Sequence, residues 1–157
     1  MPSHYPPRRS RDLATDPDEL AVWALIDRFA ATVNDRAFDT VDEMFVAGAT
    51  WEIDGAVVRK PPGAFLQSVV ERHAELRLHV LKGTVEVHGP RAEAIWLITE
   101  VVTGTDGEVR QMGGCYTDEL VLESDGWKFA RHSYRECHAD PELVLRRAQD
   151  PEGTVRG

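Results

Sequence analysis

Residues 114–134, GCYTDELVLESDGWKFARHSY, hold two apolar alternations on either side of a turn. Leu120, Leu122, Trp127 and Phe129 recur at every second position, the side-chain period of a strand. Between them, Asp125-Gly126 is a favoured two-residue hairpin turn. With that turn, Ser124 faces Trp127, Leu122 faces Phe129, Leu120 faces Arg131 and Asp118 faces Ser133. One face then presents Tyr116, Asp118, Leu120, Leu122, Trp127, Phe129, Arg131 and Ser133. It is apolar near the turn and polar at its far end, as the wall of a ligand pocket would be. The opposite face carries Thr117, Glu119, Lys128 and His132, a mixed surface suited to solvent or to a second subunit.

More strands precede the hairpin. Residues 92–103 are apolar on both parities, which predicts a strand covered on both faces. From Leu78 the pattern also has period two, with His79, Leu81, Val85 and Val87 on one side and Lys82, Glu86 and His88 on the other. Upstream the period is helical. Asp16-Pro17-Asp18-Glu19 supplies a cap, a proline at the first helical position and acids at the positive end of the dipole. Behind it Val22, Leu25, Ile26, Phe29 and Val33 give residues 18–33 one apolar face, and Asn34-Asp35-Arg36 ends the helix. A short helix is expected over 38–45, and a third over 64–76, opened by Pro61-Pro62-Gly63. Helices first and antiparallel strands second make an α+β domain. It is expected over 14–148, with a last short helix from Asp140-Pro141 to Arg147. Residues 1–13 and 149–157 read as polar, flexible ends.

The chain has 157 residues, 42% hydrophobic and 29% charged, with 18 Lys and Arg against 27 Asp and Glu, a net charge of −9. That size sustains one core without metals or disulfides. Excess acid argues against a nucleic-acid partner, which needs clustered cations. No apolar run is long enough for a bilayer span. Cys115 and Cys137 read as reduced thiols of a cytoplasmic protein, and neither CxxC nor HExxH is present to suggest a metal site.

Three stretches together resemble the SnoaL-like branch of the nuclear-transport-factor-2-like superfamily: residues 29–55, FAATVNDRAFDTVDEMFVAGATWEIDG; 78–89, LHVLKGTVEVHG; and 114–134. The resemblance implies a cone, a strongly curved antiparallel sheet packed on N-terminal helices around an apolar pocket. It implies relatives that are dehydratases, ketosteroid isomerases, polyketide cyclases or epoxide hydrolases, usually without cofactor, and others that only bind ligands. It also implies a homodimer paired through the outer face bearing Thr117, Glu119, His132 and Tyr134.

His79 matches the catalytic histidine of the dehydratase-like relatives, and its imidazole suits proton transfer at neutral pH. A core histidine satisfied by a backbone carbonyl is the other reading. Where many relatives carry an aspartate this chain has Asn34, which can hydrogen-bond an oxygen but cannot take up a proton; Asp35 is a weaker substitute, and both also fit a helix end. Asp118, beside Tyr116 and diagonal to Arg131, reads as a pocket carboxylate or as half of a structural ion pair. Tyr116 is placed to steady a carbonyl or enolate oxygen. Phe29, Trp51, Trp96 and Met112 are expected to shape the cavity, with Arg131 on its wall. Glu100 interrupts the run Ala94, Trp96, Ile98; a strand-end solvent contact or an interface salt bridge outweighs an acid/base role for it. The expectation is a cofactor-free dehydratase, isomerase or cyclase of a small, largely apolar, oxygenated metabolite such as a polyketide or terpenoid intermediate. A non-catalytic ligand binder is the alternative, and an epoxide hydrolase using Asp118 and Arg131 a weaker one.

Overall fold

The computed structural model describes residues 9–11 and 16–137, so the helix expected from Asp140 lies outside the described residues. A first strand, β1 (Arg9–Ser10), precedes helix α1 (Pro17–Asp35). The Asp16 side chain accepts from the backbone N–H groups of Asp18 and Glu19 at 2.8 and 3.3 Å, filling the cap role its position predicts. Arg36, left-handed at φ 56°, closes the helix, its N–H reaching the carbonyl of Val33 at 3.2 Å. A 3-10 helix (Phe38–Met44) leads into β2 (Phe45–Ile53) and β3 (Ala56–Val58). Helix α2 (Pro62–Glu71) ends five residues before the limit expected of it. Four long strands follow: β4 (Glu75–His88), β5 (Arg91–Thr103), β6 (Val109–Glu123) and β7 (Gly126–Cys137).

The strands form one seven-stranded sheet in the order β1-β4-β5-β6-β7-β2-β3. All neighbours run antiparallel except β2 and β7, which are parallel. Register shifts fall between Val80 and Gly83 in β4, between Glu119 and Leu120 where β6 meets β7, and between Phe45 and Thr50 in β2. Each shift bends its strand and adds local twist, and together they curl the sheet around α1 without closing it. Gly83 permits the first of them: a Cβ there would lie 2.3 Å from the Ile95 carbonyl oxygen and 2.7 Å from the Trp96 Cα.

Val22, Ile26, Phe29 and Val33 of α1 are at most 1% exposed and fill the concave side. Each contributes roughly 1.5–3 kcal/mol by leaving water. Phe29 is the hub, with edge contacts to Phe45, Trp51, Trp96, Tyr116, Phe129 and His132 at 4.9–6.4 Å between ring centroids. Strand β5 is covered on both faces, as its composition predicts: Ile95 and Leu97 form a second buried cluster with Cys115. Burial pushes the Cys115 thiol up to about 11, which leaves it inert as a nucleophile. No described helix is long and apolar enough to cross a membrane, and no group of His, Cys, Asp or Glu among the described residues is arranged to hold a metal.

Candidate active site

The open end of the cone holds a cavity of about 160 Å³. Trp51, Phe65, Val69, Leu78 and Met112 supply its apolar wall, and the polar groups that break it are His73, Glu100, Tyr116 and Tyr134. Glu100 follows Trp96 and Ile98 on the inner parity of β5, so the strand period aims its carboxyl inward. Burial, reinforced by the charge of Glu136, raises that carboxyl from an ordinary 4.5 to about 7. Tyr116 stands across from Tyr134 on β6 and β7, with ring centroids 5.1 Å apart. Burial, and then the charge of Glu100, push both phenols well above 10, so both are hydrogen-bond donors at neutral pH. Gly114 makes room for this arrangement, since a Cβ there would sit 2.3 Å from the Tyr134 ring. The cavity therefore combines one tunable carboxyl with two fixed hydroxyl donors in apolar surroundings.

Beneath Tyr116 lies a second polar group that no solvent reaches. Asp118 and His132 are both 0% exposed, with Nδ1 of the histidine 2.6 Å from one carboxyl oxygen. Trp96 Nε1 donates to the other oxygen, also at 2.6 Å. The Tyr116 ring stacks on the His132 ring at 4.2 Å and on Trp96 at 4.5 Å. His132 Nε2 is buried without a hydrogen-bond partner among the described residues. Asp118, Trp96 and His132 thus lie behind the cavity wall, with Tyr116 between them and the ligand space.

Several expected positions change. His79 is exposed and lies opposite Thr99 on the outer face, because the shift between Val80 and Gly83 reverses the parity of β4. Leu76 and Leu78 point inward before it, and Val85 after it. The hairpin turn is Ser124-Asp125, so Leu122 pairs with Trp127 and Leu120 with Phe129. Past the shift at Leu120 an extra residue, Ala130, is accommodated, and Asp118 pairs with His132 instead of Ser133. This brings His132 and Tyr134 inward, away from the outer face expected of them. It also turns Arg131 outward to Glu52 at 3.1 Å, so Asp118 and Arg131 do not form the set an epoxide hydrolase needs. Trp51, Met112 and Tyr116 line the cavity, whereas Phe29 and Trp96 are core residues behind it.

Asn34 is committed to the backbone. Its Nδ2 donates to the Leu78 carbonyl at 2.8 Å, and its Oδ1 accepts from the Leu78 N–H at 2.7 Å. It thereby mimics a neighbouring strand along a stretch of β4 whose paired β1 residues reach only Thr84 and Val85. Aspartate cannot donate, so Asn34→Asp is expected to lower stability by about 1–3 kcal/mol at neutral pH. A chemical denaturation curve checks this, and an unshifted midpoint would contradict the role.

Residues 15–133 match the SnoaL-like domain family. No curated protein matches the sequence significantly. Among solved structures, the fold is similar to that of a Streptomyces avermitilis protein of the NTF2-like family provisionally termed a dehydratase, with a TM-score of 0.71 and 14% identity over 80% of this chain and 100% of that one. It is similar to an NTF2-like protein with a cystatin-like fold from Novosphingobium aromaticivorans, at a TM-score of 0.67 and 16% identity over 84% and 88% of the two chains. It is also similar to a protein from that organism provisionally termed an aromatic ring hydroxylase, at 0.69 and 21% over 78% and 90%. At such identities the structures speak for the fold alone, and the domain match gives the assignment: the chain belongs to the SnoaL-like family.

Proposed function

We propose that the chain is a cofactor-independent acid/base enzyme that moves a proton beside a carbonyl or hydroxyl on an uncharged, one-ring portion of a small metabolite. Dehydration, isomerisation and cyclisation all need that step. The observation that carries the reading is that Glu100, Tyr116 and Tyr134 break the wall of one apolar cavity, where burial raises the carboxyl to about 7 and both phenols well above their ordinary value. A base is most effective when its pKa lies near the working pH. Glu100 removes a proton from the carbon next to the carbonyl. Tyr116 and Tyr134 donate hydrogen bonds to the oxygen on which charge develops. Glu100 then returns the proton to another carbon in an isomerisation, or to a departing hydroxyl in a dehydration. The volume sets the scale, since a cavity of roughly 150 Å³ takes one benzene-sized ring. A polycyclic polyketide would exceed it. The provisional dehydratase name of one structural relative agrees with this chemistry.

Solvent exchange tests the proposal. A panel of one-ring ketones and β-hydroxy ketones is incubated with the protein in D₂O and followed by NMR. Exchange at the carbon next to the carbonyl is expected with the native protein and not with Glu100→Gln. No exchange above buffer across the panel, or equal exchange by the variant, would sink it.

A non-catalytic ligand-binding protein is the second reading. It is favoured by Asn34, whose two polar atoms are occupied by Leu78, and by the outward position of His79. A ligand bound in the cavity and recovered unchanged would support it.

A further inference from the structure

Outside the cavity, between β3 and α2, runs an open trough of about 750 Å³. Its floor is apolar, formed by Val57, Val58 and the side chains of Ile53 and Phe65. Ile53 and Phe65 also line the inner cavity, so the two spaces share a wall at these residues. The rim carries Arg59, Lys60 and Arg72, all exposed, and no acidic residue lines the trough. Among the described residues Arg59 and Lys60 make no ion pair, and the Arg72 side chain makes one bond, from Nε to the Ser68 carbonyl at 3.3 Å. In a chain of net charge −9, three uncompensated cations around one apolar trough are a local inversion of sign.

An apolar floor with an unneutralised cationic rim is complementary to an amphipathic anion, whose stem lies on the floor while its charged end meets the rim. The inner cavity has the opposite chemistry: Glu100 and two phenols favour an uncharged oxygenated ring. We infer that the substrate has two parts, a neutral one-ring head for the cavity and an apolar stem ending in a phosphate or carboxylate for the trough. The inference rests on the proposed role of the cavity and assigns the trough as its anion-binding extension. In this arrangement the anionic end stays at the rim, and only the neutral head occupies the cavity that Glu100 lines.

Three matched series test it by isothermal titration calorimetry: phenylalkyl phosphates, the corresponding carboxylates and the corresponding alcohols, each of increasing stem length. The proteins are native, the combined Arg59→Gln, Lys60→Gln, Arg72→Gln variant, and Tyr134→Phe. For stems long enough to reach the rim, the native protein is expected to bind the anions roughly tenfold more tightly than the alcohols at low salt. The preference should shrink as salt is raised. The triple variant should lose it while keeping its alcohol affinity, and Tyr134→Phe should weaken all series alike. Whichever anion shows the larger gain identifies the tail. An anion preference that survives in the triple variant, or is absent from the native protein, overturns the inference. Anions bound with alcohols unbound would uphold the trough and overturn the cavity reading. Alcohols bound with no gain for the anions would do the reverse, and no binding by any member overturns both.

Discussion

Replacing Glu100 by glutamine is expected to cost roughly 10²–10⁴-fold in turnover, the usual worth of a positioned acid/base group. The same change should make the protein more stable above neutral pH. In the native fold burial raises this carboxyl from 4.5 to about 7. Below pH 4.5 it is protonated both folded and unfolded, and its titration then contributes nothing to the balance. Between 4.5 and about 7 the unfolded chain releases the proton while the folded one keeps it, so stability falls as pH rises. Above 7 the charge is buried at full cost, on the order of 3 kcal/mol. Glutamine removes that cost. Denaturation curves should therefore coincide for the two proteins at pH 4 and separate progressively to pH 8, with the variant the more stable. Activity of the native protein should rise through an apparent pKa near 7, because the base form does the work. A variant less stable than the native protein at pH 8 would mean that Glu100 is held by compensating contacts and is no buried base. This opposition of activity and stability separates a functional carboxyl from a structural one.

Much of the fold was legible because strong local signals agree with it. The Asp16-Pro17 start and the apolar face through Phe29 and Val33 appear in the structure, and the last hairpin forms with its turn one residue earlier than read, at Ser124-Asp125. The parallel pairing of β2 with β7 was not, since nothing local in residues 45–53 specifies a partner some eighty residues away. The site failed for one physical reason. Strand parity assigns faces correctly only while the ladder is unbroken, and one extra residue sends every later side chain to the other face. Two such shifts lie between the apolar anchors and the polar residues of interest. One put His79 outside; the other brought His132 and Tyr134 in and put Arg131 out. A signal for the second exists in residues 127–134. Trp127 and Phe129 share a parity, but continuing it makes the charged Arg131 inward and the aromatic Tyr134 outward. An extra residue after Phe129 resolves both. Glu100 shares the parity of Trp96 and Ile98, yet it was expected at a strand-end solvent contact or an interface salt bridge, because local sequence does not say how deeply the neighbouring strands bury it. That is a property of the whole curved sheet and of no single segment.

Asp118→Ala is expected to be the most destabilising single change in the site, by about 3–5 kcal/mol. The carboxyl is shared by two buried partners, accepting from Trp96 Nε1–H at one oxygen and lying within hydrogen-bond distance of His132 Nδ1 at the other, each at 2.6 Å. Removing the carboxyl leaves the indole N–H and the ring nitrogen without this partner, in a volume lined by Phe29, Phe45 and Phe129. For a domain of this length the loss corresponds to a melting point lower by about 10 °C. Asp118→Asn should cost less, because the amide oxygen still accepts from Trp96 Nε1–H. His132→Phe keeps the aromatic stack beneath Tyr116 and removes one partner, so combining it with Asp118→Ala should cost less than the sum of the two. Thermal denaturation of the four proteins measures the coupling, and additivity would mean the 2.6 Å contact contributes nothing. Function enters through Tyr116, whose ring rests on His132 and Trp96 while its edge reaches the cavity. If the pair only stabilised the fold, Asp118→Asn below its melting point would bind cavity ligands as the native protein does. As a positioning group for Tyr116, it should instead lower ligand affinity by about as much as Tyr116→Phe, and the two changes together should add little to either alone.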